Sequence, residues 1–192
     1  LDTNRATCQS KSFTYYDLNN NVTFAGHKWK IIRIDENDNI RMIFADTSAT
    51  SVSFNSTSTD NAYVGYMYGT IPSTTFEDAH TNTNNSAIKT YAESWYATNL
   101  LSYNNYIADA GYCNARNKTS GLGYAKNDTV YESNTRSYED YNANPRINLS
   151  SSCSSASRDL FTTANSSVGN KLSTYPIGLL TADEAKYAGM VR

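Results

Sequence analysis

The chain has 192 residues, a net charge of −2 and a hydrophobic share of 39%, to which tyrosine alone contributes 16 residues. The absence of a basic surplus makes nucleic acid a poor partner, and no stretch approaches the roughly 18 apolar residues that a membrane span requires. The 24 aromatic residues (6 Phe, 2 Trp and 16 Tyr) are enough to organise a core, which argues against disorder.

This length favours a single domain, 1–192, and we expect a mature or trimmed region because the chain starts without Met or a signal peptide. Asparagine, serine and threonine together exceed a third of the chain. That composition is typical of short strands joined by long loops. Residues 1–20 are interpreted as an N-terminal extension.

Residues 22–44 predict a β-hairpin, because two β-branched and aromatic runs flank the polar turn DENDN. Six apolar side chains are expected to reach the core: Trp29, Ile31, Ile34, Ile40, Ile43 and Phe44. Asp35, Asn37 and Asn39 match the opening of a calcium loop, but Ile40 stands where that loop needs glycine and its closing Glu is missing. We therefore predict no metal site.

Three tyrosines, Tyr63, Tyr66 and Tyr68, follow one another in the stretch AYVGYMYGT. They are our candidate ligand-binding residues, since aromatic rings can form a platform for a sugar or a protein partner. Packing of the same rings inside the core is the alternative, because tyrosine buries readily when its hydroxyl has a partner.

The strongest helix prediction is NNSAIKTYAESWYATNLL, in which Ser86 caps the start and aromatic residues recur on one face. A shorter helix is expected to follow in LSYNNYIADAG and to end at Gly111.

The three cysteines, Cys8, Cys113 and Cys153, have no CxxC spacing and only two histidines to assist them, which argues against zinc. A Cys113–Cys153 disulfide is favoured, since it would close a Ser/Asn/Gly-rich stretch and stabilise the fold by about 4 kcal/mol. Residues 114–170 are then a long loop excursion, and the bridge indicates an oxidising, extracytoplasmic compartment. Three unrelated buried thiols are the alternative, and the partner of Cys8 stays open.

The C-terminal segment PIGLLTADEAKYAG predicts a short strand at 176–180 followed by a helix that stops at Gly189. Thr181 and Glu184 fit the T-x-x-E capping box, and Asp183 in the first turn favours the helix dipole. Both acids are therefore assigned structural rather than catalytic roles.

No local catalytic signature is present, because His27 and His80 lie in no recognisable motif. We predict no enzyme activity and no cofactor. A glycosidase built from dispersed carboxylates leaves no local signature, so that alternative stays open.

FAGHKWKIIRIDENDNIRMIF, NAYVGYMYG, SWYATNLL, YCNAR and PIGLLTADEAKYAG resemble, in sequence and order, a family of uncharacterised extracellular proteins of Gram-positive, largely gut-associated bacteria. This family is in turn similar to the C-type-lectin-like fold of formylglycine-generating enzymes. The resemblance implies an α+β fold with a small twisted antiparallel sheet, two or three helices and long irregular loops. Family members usually continue beyond the TADE helix into closing strands, so we expect this chain, which stops at Arg192, to lack them.

These features together predict an extracellular or cell-surface binding or adhesion module that displays Tyr/Asn/Ser-rich loops to a protein or glycan. The alternative is a structural subunit of a surface pilus or filament, joined to its neighbours by strand complementation or through Cys8.

Overall fold

The structure is a computed structural model that describes residues 20–187 except 36, 47–50, 56, 58 and 137–149. Helices and small antiparallel sheets alternate along it, which confirms the α+β class. The predicted N-terminal extension lies almost wholly outside the described residues, and Cys8 and Gly189 lie outside them as well. None of the helices in the described ranges is long and apolar enough to cross a membrane.

The contacts group the chain into two compact units that meet in sequence between Asp46 and Thr47. The length alone predicted one domain over 1–192. The three described strands of the first unit pair with their neighbours in sequence.

The first unit is an antiparallel meander of β1 (Asn21–Phe24), β2 (His27–Ile34) and β3 (Ile40–Phe44). Ala25 and Gly26 join β1 to β2 with φ of 52° and 79°, and two positive φ values are the mark of a two-residue type I′ hairpin turn. The sequence predicted the β2–β3 hairpin but missed β1, because no polar break separates it from β2.

The β2–β3 turn is organised by the Asp35 carboxylate, whose Oδ1 accepts from the backbone N–H groups of Asn37 and Asn39. The side-chain hydrogen bond from Asn39 contributes most to lowering the pKa of Asp35. The spacing that matches a calcium loop thus serves hydrogen bonds that stabilise the turn. The predicted burial of Ile34 and Ile40 is wrong, since these paired residues are 57% and 53% exposed at the end of the hairpin.

In its described residues, the second unit has four α-helices with both ends defined, a further helical stretch at 132–136, two 3₁₀ helices and three two-stranded antiparallel sheets. The α-helices are α1 (Phe76–Ala79), α2 (Ala87–Asn99), α3 (Ala156–Asp159) and α4 (Ala182–Tyr187), and the 3₁₀ helices are Asn61–Tyr63 and Leu101–Tyr106. The sheets pair β4 (Met67–Tyr68) with β5 (Asn84–Asn85), β6 (Tyr112–Cys113) with β9 (Leu160–Phe161), and β7 (Lys118–Ser120) with β8 (Val130–Tyr131).

Helix α2 begins where the sequence predicted, at a fully buried Ser86. The Ser86 Oγ accepts from the Lys89 N–H at 3.2 Å and donates to the Tyr66 carbonyl at 2.7 Å, so the cap also ties the helix to the chain before β4. The second predicted helix is instead the 3₁₀ helix Leu101–Tyr106 and ends before Gly111, because the Ile107 N–H bonds the Asn104 carbonyl three residues back.

The core of the second unit is a cluster of Tyr66, Met67 and Phe161, against which Ile88 and Leu179 pack. Phe161 is completely buried although it lies within 114–170, the range predicted as a loop excursion. That prediction is wrong for this part of the range. The loop excursion was inferred because residues 114–170 contain few aliphatic residues. In the structure, this range contributes one aromatic ring and several polar side chains to the core.

The largest fully buried side chain among the described residues is that of Arg116, which is 1% exposed. Its Nε donates to Asp159 Oδ1 at 2.7 Å, and one terminal nitrogen donates to the Met67 carbonyl and to His80 Nδ1 at 2.7 and 3.2 Å. The other terminal nitrogen donates to Asn82 Oδ1 at 2.8 Å and to the Arg158 carbonyl at 3.4 Å. All five N–H groups of the guanidinium therefore have acceptors.

We predict that Arg116→Met lowers the free energy of unfolding by about 3–5 kcal/mol, because the buried Asp159 carboxylate loses its main counter-charge. Chemical denaturation monitored by tryptophan fluorescence measures the change. Lys118→Met is the control, since Lys118 is exposed and its loss should cost less than about 1 kcal/mol. Equal effects of the two substitutions would show that the buried network is dispensable.

Candidate functional site

The structure divides the three candidate tyrosines between the core and a half-buried pair. Tyr66 is 3% exposed, meets Phe161 edge to face, and donates its hydroxyl to the Ile177 carbonyl at 3.2 Å. Tyr63 and Tyr68 lie together with ring centroids 5.0 Å apart. The expected platform of three rings is therefore reduced to Tyr63 and Tyr68, since Tyr66 belongs to the interior.

A more exposed aromatic surface is the 3₁₀ helix Leu101–Tyr106, sequence LSYNNY, all six residues of which are exposed. Tyr106 is 80% exposed, Leu101 47% and Tyr103 37%. A 3₁₀ helix has three residues per turn, so Tyr103 and Tyr106 stand on the same side, about 6 Å apart along the axis. Sequence reasoning missed this surface because it assigned the segment to an α-helix.

The LSYNNY segment is fixed to the core at its beginning and its middle. Leu100 immediately before it is 4% exposed, and its carbonyl accepts from the Tyr103 N–H. The buried Tyr96 donates its hydroxyl to Asn104 Oδ1 and stacks on Tyr175 with ring centroids 4.8 Å apart. The exposed rings thus project from a held backbone, which lowers the entropy lost when they bind a partner.

The disulfide between Cys113 and Cys153 is present, with Cα atoms 5.6 Å apart, and confirms the predicted pairing. Cys113 lies in β6, which pairs with β9, so the bridge fastens residue 153 to the core sheet. Of the candidate site residues, these two cysteines are brought together as the sequence expected.

Asp183 has a larger structural role than the helix-dipole contact that was predicted. It is 1% exposed and accepts from Arg136 Nε and Nη2 at 2.9 and 3.0 Å, and from the Ser150 N–H at 3.1 Å. The hydrogen bond to Asp183 raises the pKa of Arg136. Asp183 therefore binds one residue on each side of 137–149, and its oxygens are engaged by donors.

Thr181 and Glu184 form reciprocal hydrogen bonds at the start of α4. The Thr181 Oγ1 accepts from the Glu184 N–H at 3.0 Å, and Glu184 Oε2 accepts from the Thr181 N–H at 3.1 Å. The strand predicted at 176–180 is wrong, because none of these residues belongs to a strand.

The two histidines have different settings. His80 is 1% exposed, and its Nδ1 accepts from Arg116 while its Nε2 lies 2.9 Å from the Gly123 carbonyl, which fixes a neutral tautomer with the proton on Nε2. Burial, reinforced by the positive charge of Arg116, lowers the pKa of His80 to about 4. The Nδ1 atom of His27, in the first unit, lies 3.6 Å from Oδ2 of Asp46.

Within the described ranges, no three side chains of the His, Cys, Asp and Glu types come together as a metal-binding group. The same described ranges hold the exposed LSYNNY segment and the half-buried pair Tyr63 and Tyr68.

Comparison of the chain with protein-family models, with curated proteins and with solved structures finds no match.

We predict that Thr181→Ala lowers the free energy of unfolding by about 1 kcal/mol, because the N–H of Glu184 loses its acceptor. Thermal and urea denaturation measure the difference. The matched control is Thr74→Ala at an exposed position, which should change stability by less than about 0.5 kcal/mol. A Thr181 variant as stable as the control would remove the capping assignment.

The buried His80 should make folding sensitive to acid. Its folded-state pKa of about 4 lies below the ordinary value of 6.5, so between these values the unfolded chain binds a proton that the native chain does not. The contribution of His80 to the free energy of unfolding should thus be fully present above about pH 6.5. It should decrease as the pH falls toward 4, by up to about 3 kcal/mol. Urea midpoints measured across this range test the slope, and His80→Gln, although less stable, should lose that part of it. An unchanged slope in the variant would contradict the assignment.

Proposed function

We propose that the protein is a non-catalytic binding or adhesion module of the extracellular space or cell surface, built on a C-type-lectin-like scaffold and related to the extracellular family that its motifs resemble. The observation that carries the proposal is the exposed LSYNNY segment, whose Asn104 is hydrogen-bonded to the buried Tyr96. Its partner is a protein or glycan surface.

The chemistry of this segment suits contact with an uncharged polar surface. Leu101–Tyr106 contains no charged residue, and it combines two tyrosines with two asparagines and a serine. Tyrosine rings provide large contact areas with few rotatable bonds, while amide and hydroxyl groups adapt their hydrogen bonds to the partner. Such residues dominate surfaces selected for recognition.

The Cys113–Cys153 disulfide supports the extracellular setting, since such bridges persist in oxidising compartments. The non-catalytic assignment is supported by the hydrogen bonds that already engage the side chains best suited to catalysis. His80 and Asp183 are buried and engaged by Arg116 and Arg136.

The filament subunit is a second candidate, because the first unit is a small antiparallel sheet, the kind of element to which a strand of a neighbouring chain can add. Size-exclusion chromatography with light scattering, with and without reductant, separates the two. We expect a monomer, and ordered polymers would favour the filament.

The binding proposal is tested on printed glycans and on immobilised proteins with a double variant, Tyr103→Ser with Tyr106→Ser. Removal of both rings should weaken binding roughly tenfold or more in a variant that thermal denaturation shows to be folded, because exposed aromatic anchors carry much of the energy of such contacts. Val168→Ser is the control, since Val168 is 59% exposed but lies outside the segment. Retained binding in the double variant, or no binding to either class of probe, would overturn the proposal.

A further inference from the structure

The LSYNNY segment is a small surface for a folded protein partner. A stable protein–protein interface buries about 800 Å² and roughly 20–30 residues on each partner. The segment itself offers the six residues Leu101–Tyr106, and Leu100 and Ile107 on either side of it are less exposed. A ligand that needs only a few side chains therefore fits this surface better than a folded protein does.

The segment lies in a long uncharged part of the chain. Between Glu93 and Asp109 the sequence contains no Asp, Glu, Lys, Arg or His. The two acids that bound this stretch are themselves engaged, since Glu93 Oε1 accepts from Lys89 Nζ at 2.7 Å and Asp109 Oδ1 accepts from the Thr163 N–H at 3.0 Å. An ionic ligand would meet no counter-charge on the segment, so a neutral ligand is favoured.

The amide of Asn104 is oriented by a hydrogen bond to the interior. Its Oδ1 accepts from the hydroxyl of the buried Tyr96, which gives its Nδ2 a set direction. In the described part of the chain, this Nδ2 and the side chains of Ser102 and Asn105 have no hydrogen-bond partner, and all three residues are exposed. Sugar hydroxyl groups both donate and accept, so they match such amide and hydroxyl groups.

The tyrosine rings provide the apolar part of the contact. Tyr103 and Tyr106 stand on one side of the 3₁₀ helix, about 6 Å apart along its axis, with the two asparagines between them in sequence. A pyranose ring has an apolar C–H face that an aromatic ring removes from water. Successive rings of an extended sugar chain have a similar spacing, so one chain can cover both tyrosines. Because Tyr106 is 80% exposed, the surface lies open and does not enclose the end of a chain.

We propose that the LSYNNY segment binds an internal stretch of a neutral, unbranched polysaccharide built of pyranose units. Tyr103 and Tyr106 stack on the sugar rings, and Asn104 Nδ2 donates to a sugar hydroxyl between them. This inference rests on the proposed binding function and narrows its partner from a protein or glycan surface to one chemical class of glycan.

The test is an NMR titration of the full chain with cellohexaose, mannohexaose and xylohexaose. At least one of these neutral hexamers should give saturable amide shifts concentrated at residues 101–106. The corresponding monosaccharide and hexagalacturonic acid should bind at least roughly tenfold more weakly. The absence of saturable binding by every neutral hexamer, or equally tight binding of the acidic one, would overturn the proposal. Capture of a protein through the two tyrosines when no hexamer binds would leave the proposed binding function standing and overturn this inference alone.

Two side chains of the segment are tested separately. Asn104→Asp keeps an acceptor for the Tyr96 hydroxyl but removes the Nδ2 donor, so the hexamer should bind about fivefold more weakly. Asn134→Asp is the control, since it introduces the same charge at an exposed position outside the segment and should leave the affinity unchanged. Equal losses in the two variants would contradict the assigned contact.

The role of the most exposed ring is tested at Tyr106. Tyr106→Trp keeps an aromatic face and should bind the hexamer at least as tightly as the unaltered chain, whereas Tyr106→Ser should bind it roughly tenfold more weakly. Thermal denaturation checks that both variants are folded. Equal affinities of the two folded variants would show that the sugar does not stack on this ring.

Discussion

The interior of the second unit depends above all on the buried guanidinium of Arg116, which is 1% exposed. Arg116 joins residues that are far apart in sequence, since the Asp159 carboxylate is 43 positions away and the Met67 carbonyl 49 positions away. A guanidinium taken out of water is costly unless every donor finds an acceptor, and here each one does. The geometry of five fixed donors leaves the surrounding chain little freedom, so Arg116 specifies the arrangement of β4, α1 and α3 more than a nonpolar residue could.

The close approach to this cation also explains a glycine. Gly65 has φ of +117°, and a Cβ at that position would lie 2.6 Å from Arg116 Cδ and 2.8 Å from Asn114 Nδ2. No other residue type satisfies both the backbone conformation and the lack of space. The glycine in AYVGYMYGT therefore serves the Arg116 network, and the neighbouring Tyr66 points into the core as a result of packing rather than recognition.

Local patterns predicted local structure well. Helix α2 with its Ser86 cap, the Thr181–Glu184 box and the β2–β3 hairpin follow from spacing over a few residues, and the disulfide follows from composition. The burial of Arg116 and Asp159 was not predicted, because isolated charged residues in an Asn/Ser-rich stretch are normally exposed to solvent. Their burial is decided by partners tens of residues away, which no window of sequence contains. The 3₁₀ geometry of the LSYNNY segment was not predicted, because the choice between an α-helix and a 3₁₀ helix rests on single hydrogen bonds.

A chain with few aliphatic residues can still fix irregular loops if its polar side chains form hydrogen bonds and ion pairs in the interior. Lys89, which is 2% exposed, reaches Glu93, and the same Glu93 accepts from the N–H and hydroxyl of Thr174, so α2 holds the segment that contains Tyr175. Tyr175 stacks on Tyr96, whose hydroxyl fixes Asn104 in the exposed segment. The order imposed by buried ionic contacts thus extends, contact by contact, to the surface tyrosines. A loop held in this way keeps its rings in place before any partner arrives, which is the physical condition for tight contact without a large ordering cost.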